Sequence, residues 1–294
     1  MNVYEIVTER ILGELEKGSV PWRKPWTGSS PLNITGREYR GMNILLLGYA
    51  PFSSPVWMSY KQAAEHGGHI KAGEKSSLCV FWKVSDLVDD EGKPVLDERG
   101  KPKRSFLLRY YNVFNLDQTE AVILPKRTAE KVKGKINDPI AAADEVVNKM
   151  PSKPEIIPGQ KASYSPAKDA VSMPDLKYFE SGEEYYSTLF HELTHSTGHP
   201  SRLNRGSIAD NSSFGSEDYG EEELVAEFGA AFLCCETGIN NERTDQNTAA
   251  YIAGWKGQIK ANSKLVAMAA SRAQKAVDFI LARPNYKDEE EPKE

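Results

Sequence analysis

The sequence predicts an α+β protein, with a mixed α/β N-terminal half followed by a mainly helical C-terminal half. Two β-rich runs, Leu78–Val84 and Ser105–Phe114, stand in the first half, and four helical patterns follow one another in the second. The chain has 294 residues, of which 39% are hydrophobic and 27% are charged. That length and composition are typical of a globular protein that can bury one large or two smaller cores.

Three helices are predicted before the first β-rich run. Val3–Lys17 carries apolar residues at helical spacing and is followed by Gly18, a residue type that commonly ends helices. Met42–Leu47 is a short apolar helix, and Tyr60–His66 begins after Ser59, which can cap its N-terminus. The segment between the two β-rich runs is polar and carries glycines, which indicates a hairpin or a loop.

A basic stretch, Pro125–Ile136, indicates a connector between the two halves. We therefore predict a first domain over residues 1–127, a linker over residues 128–136 and a second domain over residues 137–286. Residues 287–294 are mostly charged and are predicted to form a disordered tail.

The second domain is predicted to begin with the helix Pro139–Lys149, followed by short extended segments at Glu155–Ile157 and Lys161–Tyr164. Four further helices complete it: Glu183–Thr197, Glu221–Thr237, Asn247–Lys260 and Ser263–Ala282.

The charge of the chain is unevenly distributed. Residues 1–135 hold 21 Lys/Arg and 16 Asp/Glu, a net charge of +5, whereas the rest holds 16 Lys/Arg and 26 Asp/Glu, a net charge of −10. This asymmetry predicts that the two halves meet different partners.

The cysteines and the hydropathy pattern indicate the compartment. The three cysteines, Cys79, Cys234 and Cys235, lack C-x-x-C spacing, which favours buried thiols in a reducing environment over disulfides. No apolar run is long enough to span a bilayer, and residues 1–18 lack the pattern of a secretory signal. We therefore expect a cytoplasmic protein without a membrane partner.

A metal site is predicted on the first of the four helices, at His191-Glu192-Leu193-Thr194-His195. Residues four apart lie on the same face of a helix, so His191 and His195 can offer two imidazoles to one ion. Glu192 stands beside them, where it can act as the general base, and Zn²⁺ is the expected ion, although another divalent metal could replace it. The alternative is a helix whose histidines face water or the core.

A catalytic zinc needs a third protein ligand. His199 lies about 12 Å along the helix from His191, at roughly 1.5 Å per residue, and the metzincin pattern fails because Ser201 stands where its last histidine should be. Glu223 and Glu227 lie four apart on the next helix and resemble the gluzincin arrangement. That resemblance implies Glu223 as ligand and Glu227 as the partner of a ligand histidine; the reverse assignment, or a merely acidic first helical turn, remains open.

A peptide substrate would need an extended segment near this helix. Gln160–Pro166 and Asp169–Pro174 could supply an edge strand for it, and prolines are tolerated at such edges. An ordinary linker explains the same residues equally well.

The N-terminal half combines aromatic and basic residues, with four of the five tryptophans among its first 82 residues. Rings that stack on bases and cations that contact phosphates are what a single-stranded nucleic acid site requires. The alternative is that the tryptophans belong to the core. The predicted contact residues are Trp22, Arg23, Lys24, Trp26, Arg37, Tyr39, Arg40, Lys61, Lys71 and Lys75.

Several motifs, taken in order, resemble the ArdC-type antirestriction proteins. In the N-terminal half they are Trp22–Trp26, Asn33–Asn43, Tyr60–Ala63 and Val113–Gln118; in the C-terminal half they are His191–His195 and Glu223–Glu227. The resemblance covers nearly the whole chain, and the ordered series is more specific than any single motif.

That resemblance implies a single-stranded DNA-binding domain joined to a zincin-like metallopeptidase domain, encoded on mobile elements such as conjugative plasmids. Its expected role is to protect incoming DNA from host restriction, with single-stranded DNA as one partner and a protein substrate such as a restriction enzyme component as another. Two alternatives remain: a non-catalytic single-stranded DNA-binding protein with a structural metal, and a primase-related accessory protein of conjugation or replication.

Overall fold

The computed structural model describes residues 2–23, 30–48, 50–89, 91–98, 100–133, 138–205, 217–240 and 248–283. Over these ranges the architecture is mixed, with most strands in the first half and the longer helices in the second. The predicted α+β fold class is therefore confirmed. The predicted tail lies outside the described residues.

The N-terminal half contains a four-stranded sheet with the order β1-β2-β5-β4 and a separate pair, β3-β6. β1 pairs with β2 in parallel, whereas β2 with β5 and β4 with β5 are antiparallel. The strands are β1 Leu32–Asn33, β2 Val56–Met58, β3 His69–Ile70, β4 Ser77–Asp86, β5 Arg104–Asn115 and β6 Thr119–Glu120. The two predicted β-rich runs are β4 and β5.

Four helices accompany these strands in the described part of the half: α1 Val3–Glu16, α2 Met42–Gly48, α3 Tyr60–Glu65 and α4 Lys126–Lys133. The limits predicted for the first three agree with these bounds to within one residue at each end. Asn2 and Glu5 form a capping box at α1, and Ser59 and Gln62 form one at α3.

α4 corrects the predicted linker, which we had placed over residues 128–136. Residues 128–133 belong to this helix, and Thr128 is fully buried with its hydroxyl donating to the Ile34 carbonyl at 2.7 Å. The helix therefore packs on the N-terminal half. Residues 134–136 lie outside the described part, and the other domain limits remain predictions.

The C-terminal half adds a small sheet of order β7-β9-β8 and five described helices. The helix α7 begins at Glu217, four residues before the predicted start, and the other predicted helices agree to within two residues at each end. The elements are α5 Pro139–Lys149, β7 Glu155–Pro158, β8 Ser163–Ser165, β9 Ala170–Met173, α6 Gly182–Ser196, α7 Glu217–Thr237, α8 Thr248–Ala261 and α9 Leu265–Ile280.

One hydrophobic core passes through both halves. Val7 and Leu15 of α1 belong to the same buried cluster as Leu224 of α7 and Val266 of α9. Cys79, Cys234 and Cys235 are buried thiols, as expected. No helix in the described ranges is both long and apolar enough for a membrane span. The continuous core implies that the two halves keep a fixed relative position.

Candidate metal centre and nucleic-acid surface

The helix α6 carries the two predicted ligand histidines. Ser181 caps its N-terminus by accepting from the Glu184 backbone N–H, and Leu189, Phe190 and Leu193 are buried along it. His191 and His195 are one turn apart, and their Nε2 atoms approach to 3.1 Å. The two imidazoles therefore converge on one point beside the helix.

Glu223 of α7 meets both histidines. Its Oε2 lies 3.5 Å from His191 Nε2, and its Oε1 lies 3.5 Å from His195 Nε2. One ligand atom from each of the three residues can be chosen so that all lie within 4.8 Å of one another. Two imidazole nitrogens and one carboxylate form a donor set of catalytic zinc sites, so these residues fit a divalent cation.

The close packing of α6 on α7 depends on Gly229. A Cβ atom at this position would lie 2.4 Å from the Thr194 side chain, which no ordinary contact allows. Thr194 is fully buried, and its hydroxyl donates to the Phe190 carbonyl at 2.7 Å, so the threonine cannot easily move aside. Gly229 therefore lets α7 come close enough for Glu223 to reach the histidines.

Glu222 lies beside His195, a contact that sequence analysis missed. Its Oε1 lies 3.5 Å from His195 Nδ1. Arg205 donates to both carboxylate oxygens, from Nε to Oε2 at 3.0 Å and from Nη2 to Oε1 at 2.6 Å. Burial alone would raise the pKa of the Glu222 carboxyl, but hydrogen bonds from His195 and Arg205 lower it to about 2. The sequence shows the acidic run Glu221-Glu222-Glu223, but it does not show that Arg205 pairs with the middle residue of that run.

Glu227 also lies beside His191 and Glu223, and its carboxylate contacts an arginine of the other half. Its Oε1 accepts from Arg23 Nη2 of the N-terminal half at 3.2 Å. Glu222 lies beside Nδ1 of His195, a position that the sequence analysis did not assign, and the role of Glu227 as the partner of a ligand histidine stays a prediction. The three convergent donors favour Glu223 over Glu227 as the third ligand.

A cavity of about 230 Å³ opens beside the donors, and its lining includes Arg23, His191, Glu192, Glu223 and Glu227. Glu192 is 9% exposed. Burial would lower the pKa of His191, but the hydrogen bond to Glu223 and the negative charges of Glu227 and Glu192 raise it. The three carboxylates near His191 favour positive charge at this place, which agrees with a cation site.

The predicted substrate segment contains β8, an outer strand of its described sheet, which lies near α6. Tyr164 of β8 donates to Asp169 Oδ1 at 2.8 Å, and Arg202 joins both side chains while its Nε donates to the Ser196 carbonyl at 2.7 Å. This network fastens the β8–β9 turn to the end of α6. His199 contacts Ser201 and lies outside the donor cluster, as predicted.

Four of the predicted DNA contacts are turned inward. Trp22 is fully buried with its ring 5.2 Å from that of Phe228, and Tyr39 is 8% exposed, so neither can stack on a base. Arg23 pairs with Glu227, and Arg40 pairs with Asp278. The predicted surface is thus corrected at these four positions, because the rings and cations lie in the core and in the contacts between the halves. Lys24 and Trp26 lie outside the described residues.

The remaining predicted cations lie at the surface. Arg37, Lys61 and Lys75 are exposed, and the half-buried Lys71 donates from Nζ to the Asp117 carbonyl at 2.8 Å. Within the described part of the N-terminal half, the structure also exposes three aromatic rings that sequence analysis did not select. They are Tyr60, Phe106 and Tyr110, which are 67%, 54% and 47% exposed.

The fold and the donor cluster define a zincin-like protein, and comparisons with known proteins agree. Residues 141–272 match the family of zincin-like metallopeptidases, and residues 1–114 match the N-terminal domain of the anti-restriction factor ArdC. Two crystal structures of the antirestriction protein ArdC from plasmid R388 are similar at 33% identity. The metal-free structure aligns with a TM-score of 0.73 over 96% of this chain and 98% of its own. The Mn(II)-bound structure aligns with a TM-score of 0.69 over 98% and 100%.

The chain therefore belongs to the ArdC family of antirestriction proteins. It is also 34% identical, over 95% of its length, to two proteins of Escherichia coli named DNA primase TraC, but it spans only 20% and 27% of their lengths. An uncharacterized protein of Sinorhizobium fredii, y4eC, is 29% identical over 96% of this chain and 92% of its own length.

Proposed function

We propose that the protein protects incoming DNA from host restriction and that its C-terminal half is a metal-dependent peptidase. The observation that carries the peptidase proposal is the convergence of His191, His195 and Glu223 within 4.8 Å, with Glu192 lining the adjoining cavity. Zn²⁺ is the proposed ion. The Mn(II)-bound relative supports a divalent metal but leaves room for another ion of that class.

The side chains would divide the work as follows. His191, His195 and Glu223 hold the ion, which when bound polarises a peptide carbonyl and makes water more acidic. Glu192 accepts a proton from the attacking water and returns it to the leaving nitrogen. Glu222, fixed by Arg205, keeps His195 in orientation, and the edge strand β8 aligns the peptide by backbone pairing.

The decisive test is restriction of incoming DNA in cells that express wild type, Glu192→Gln or His195→Ala, with the metal content of each purified protein measured. We expect Glu192→Gln to retain the metal and lose protection, because lost general base help costs on the order of 10²–10⁴ in rate. A matched control is Glu183→Gln, which alters an acidic side chain in the first turn of the same helix.

Full protection by Glu192→Gln would reject the catalytic proposal and favour the alternative, a DNA-binding protein with a structural metal. In that case His195→Ala would unfold the C-terminal half. A primase-related accessory role would instead be favoured if the protein leaves restriction unchanged but raises the efficiency of conjugation.

Single-stranded DNA binding by the N-terminal half is a second proposal, carried by the exposed rings. Alternation along β5 places Phe106 and Tyr110 on the same face as the exposed Arg104, on either side of the buried Leu108. The exposed Tyr60 adjoins the exposed Lys61 in sequence. Rings beside cations suit bases and phosphates, so this surface replaces the buried rings that the sequence had suggested.

A further inference from the structure

The cavity beside the metal centre is acidic apart from one guanidinium. Glu192, Glu223 and Glu227 line it together with Arg23, which comes from the N-terminal half. The Arg23 side chain is only 13% exposed, and its Nη2 lies 3.2 Å from Glu227 Oε1. A buried guanidinium in a candidate active site calls for a chemical explanation, since a positive charge close to a cation site opposes binding of the cation.

The position of Arg23 is fixed by its neighbour. Trp22 is fully buried, with its ring 5.2 Å from that of Phe228 on α7 and 6.1 Å from that of Trp255 on α8. The backbone N–H of Arg23 also donates to the Val20 carbonyl at 2.9 Å. The packing of Trp22 therefore places Arg23 against α7, the helix that carries Glu223 and Glu227. The Glu227 carboxylate fixes the direction of the guanidinium within the cavity.

Peptide hydrolysis creates a negative charge that such a cation can bind. The water oxygen bonds to the carbonyl carbon while its proton passes to Glu192, and the π electron pair of the carbonyl moves to its oxygen. That electron pair then re-forms the carbonyl double bond as the carbon–nitrogen bond breaks. The electrons of the broken bond stay on the nitrogen, which takes the proton from Glu192. The oxyanion between these steps needs fixed donors, which supply much of the catalysis in acyl transfer.

We propose that Arg23 is a catalytic residue contributed by the N-terminal half, which binds this carbonyl oxygen as it becomes negative. The inference rests on the proposed peptidase function and names a further residue of that site. Glu227 is then a positioning residue, since its carboxylate holds the guanidinium. The active site would be incomplete without both halves, which agrees with the core that they share.

A merely structural Arg23 would neutralise Glu227 and do nothing else, and a double-mutant cycle separates the two roles. The full-length protein, loaded with Zn²⁺, is assayed on fluorescein-labelled casein as wild type, Arg23→Gln, Glu227→Gln and the double variant. Arg10→Gln, an exposed arginine of α1, is the matched control. Metal content and thermal unfolding are measured for every variant, so that loss of the ion or of the fold is recognised.

We expect Arg23→Gln to lower kcat by about 10²-fold with little change in KM, because an oxyanion donor acts mainly in the transition state. The double variant removes both charges and leaves no unpaired carboxylate, yet it should stay as inactive as Arg23→Gln. Glu227→Gln should lose less activity, and Arg23→Lys should regain part of the loss because it restores the charge.

A second measurement does not depend on turnover. A phosphinic peptide carries the tetrahedral negative oxygens of the proposed intermediate, whereas a peptide hydroxamate binds chiefly through the metal. Arg23→Gln should weaken inhibition by the phosphinic peptide by about 10²-fold and leave the hydroxamate nearly unchanged.

Two results would overturn the assignment of Arg23 and leave the peptidase proposal standing: normal kcat in Arg23→Gln, or recovery of activity in the double variant. If wild type cleaves casein no faster than Glu192→Gln and binds neither inhibitor, the peptidase proposal fails and the role of Arg23 fails with it.

Discussion

The proposed metal centre and the proposed nucleic-acid surface differ in how far apart in the sequence their determining residues lie. His191 and His195 are one helical turn apart, so their convergence follows from the geometry of α6. The predicted DNA contacts came from composition, which does not say which face of an element meets solvent. Trp22 and Tyr39 are accordingly buried, while Phe106 and Tyr110 are exposed. Spacing on a helix thus predicts chemistry better than the abundance of a residue type does.

The role predicted from composition and the position in the structure differ most at Trp22, which packs in the core and is not expected to contact DNA. Replacing it by alanine should lower the free energy of unfolding by about 3–5 kcal/mol, since a large ring packed against Phe228 and Trp255 is lost. The exposed Tyr60→Ala should change it by less than about 0.5 kcal/mol. Urea unfolding measures both, and similar losses in the two variants would contradict the burial of Trp22.

Contacts between distant residues account for most of what the sequence did not predict. The end of α1 and the start of α3 followed from Gly18 and Ser59, which stand next to those helices in the sequence. The burial of Thr128, by contrast, depends on Ile34, 94 positions away, and Arg23 meets Glu227 across 204 positions. Such pairs leave no periodic signal in a single chain. Charge composition therefore indicated a linker at α4 and a DNA contact at Arg23, where the fold places a packed helix and an ion pair.

The contact between Glu222 and His195 gives a test of the proposed metal centre. Glu222→Gln should lower metal affinity by about 10–100-fold, because a carboxylate that orients a ligand histidine also raises its basicity. Glu221→Gln is the matched control, since Glu221 is adjacent in sequence but pairs with Arg272. Competition with a chromophoric chelator gives both affinities. Equal weakening by the two changes would mean that net charge, and not the His195 contact, governs binding.

The exposed rings of β5 give a test of the proposed nucleic-acid surface. Phe106→Ala and Tyr110→Ala should each weaken single-stranded DNA binding by about 1–3 kcal/mol, the usual contribution of stacking on one base. Lys61→Ala should instead reduce the slope of log affinity against log salt by about 0.7. Fluorescence anisotropy with a labelled oligonucleotide at several salt concentrations measures both quantities. Unchanged affinity in both ring variants would place the DNA on another surface.

The smallest effect is expected at Asp117, just after β5. Its Oδ2 accepts from the Ser53 N–H at 2.8 Å, the Ser53 hydroxyl at 2.9 Å and the Ser54 N–H at 3.1 Å. Burial alone would raise the pKa of this carboxyl, but the hydrogen bonds from Ser54 and Ser53 lower it. A carboxyl whose pKa is lower in the folded state contributes stability above its unfolded pKa of about 3.9 and loses that contribution as the pH falls further.

Asp117→Asn should therefore lower the free energy of unfolding at pH 7 by less than about 1 kcal/mol, because solvent screens the exposed carboxylate. The difference from wild type should shrink as the pH falls below about 4. Ser53→Ala, which removes the hydroxyl donor and keeps both backbone donors, should show the same trend with a smaller amplitude. Denaturant unfolding between pH 3 and pH 7 measures both variants. A loss that stays constant over that range would mean that the carboxylate acts through packing and not through its charge.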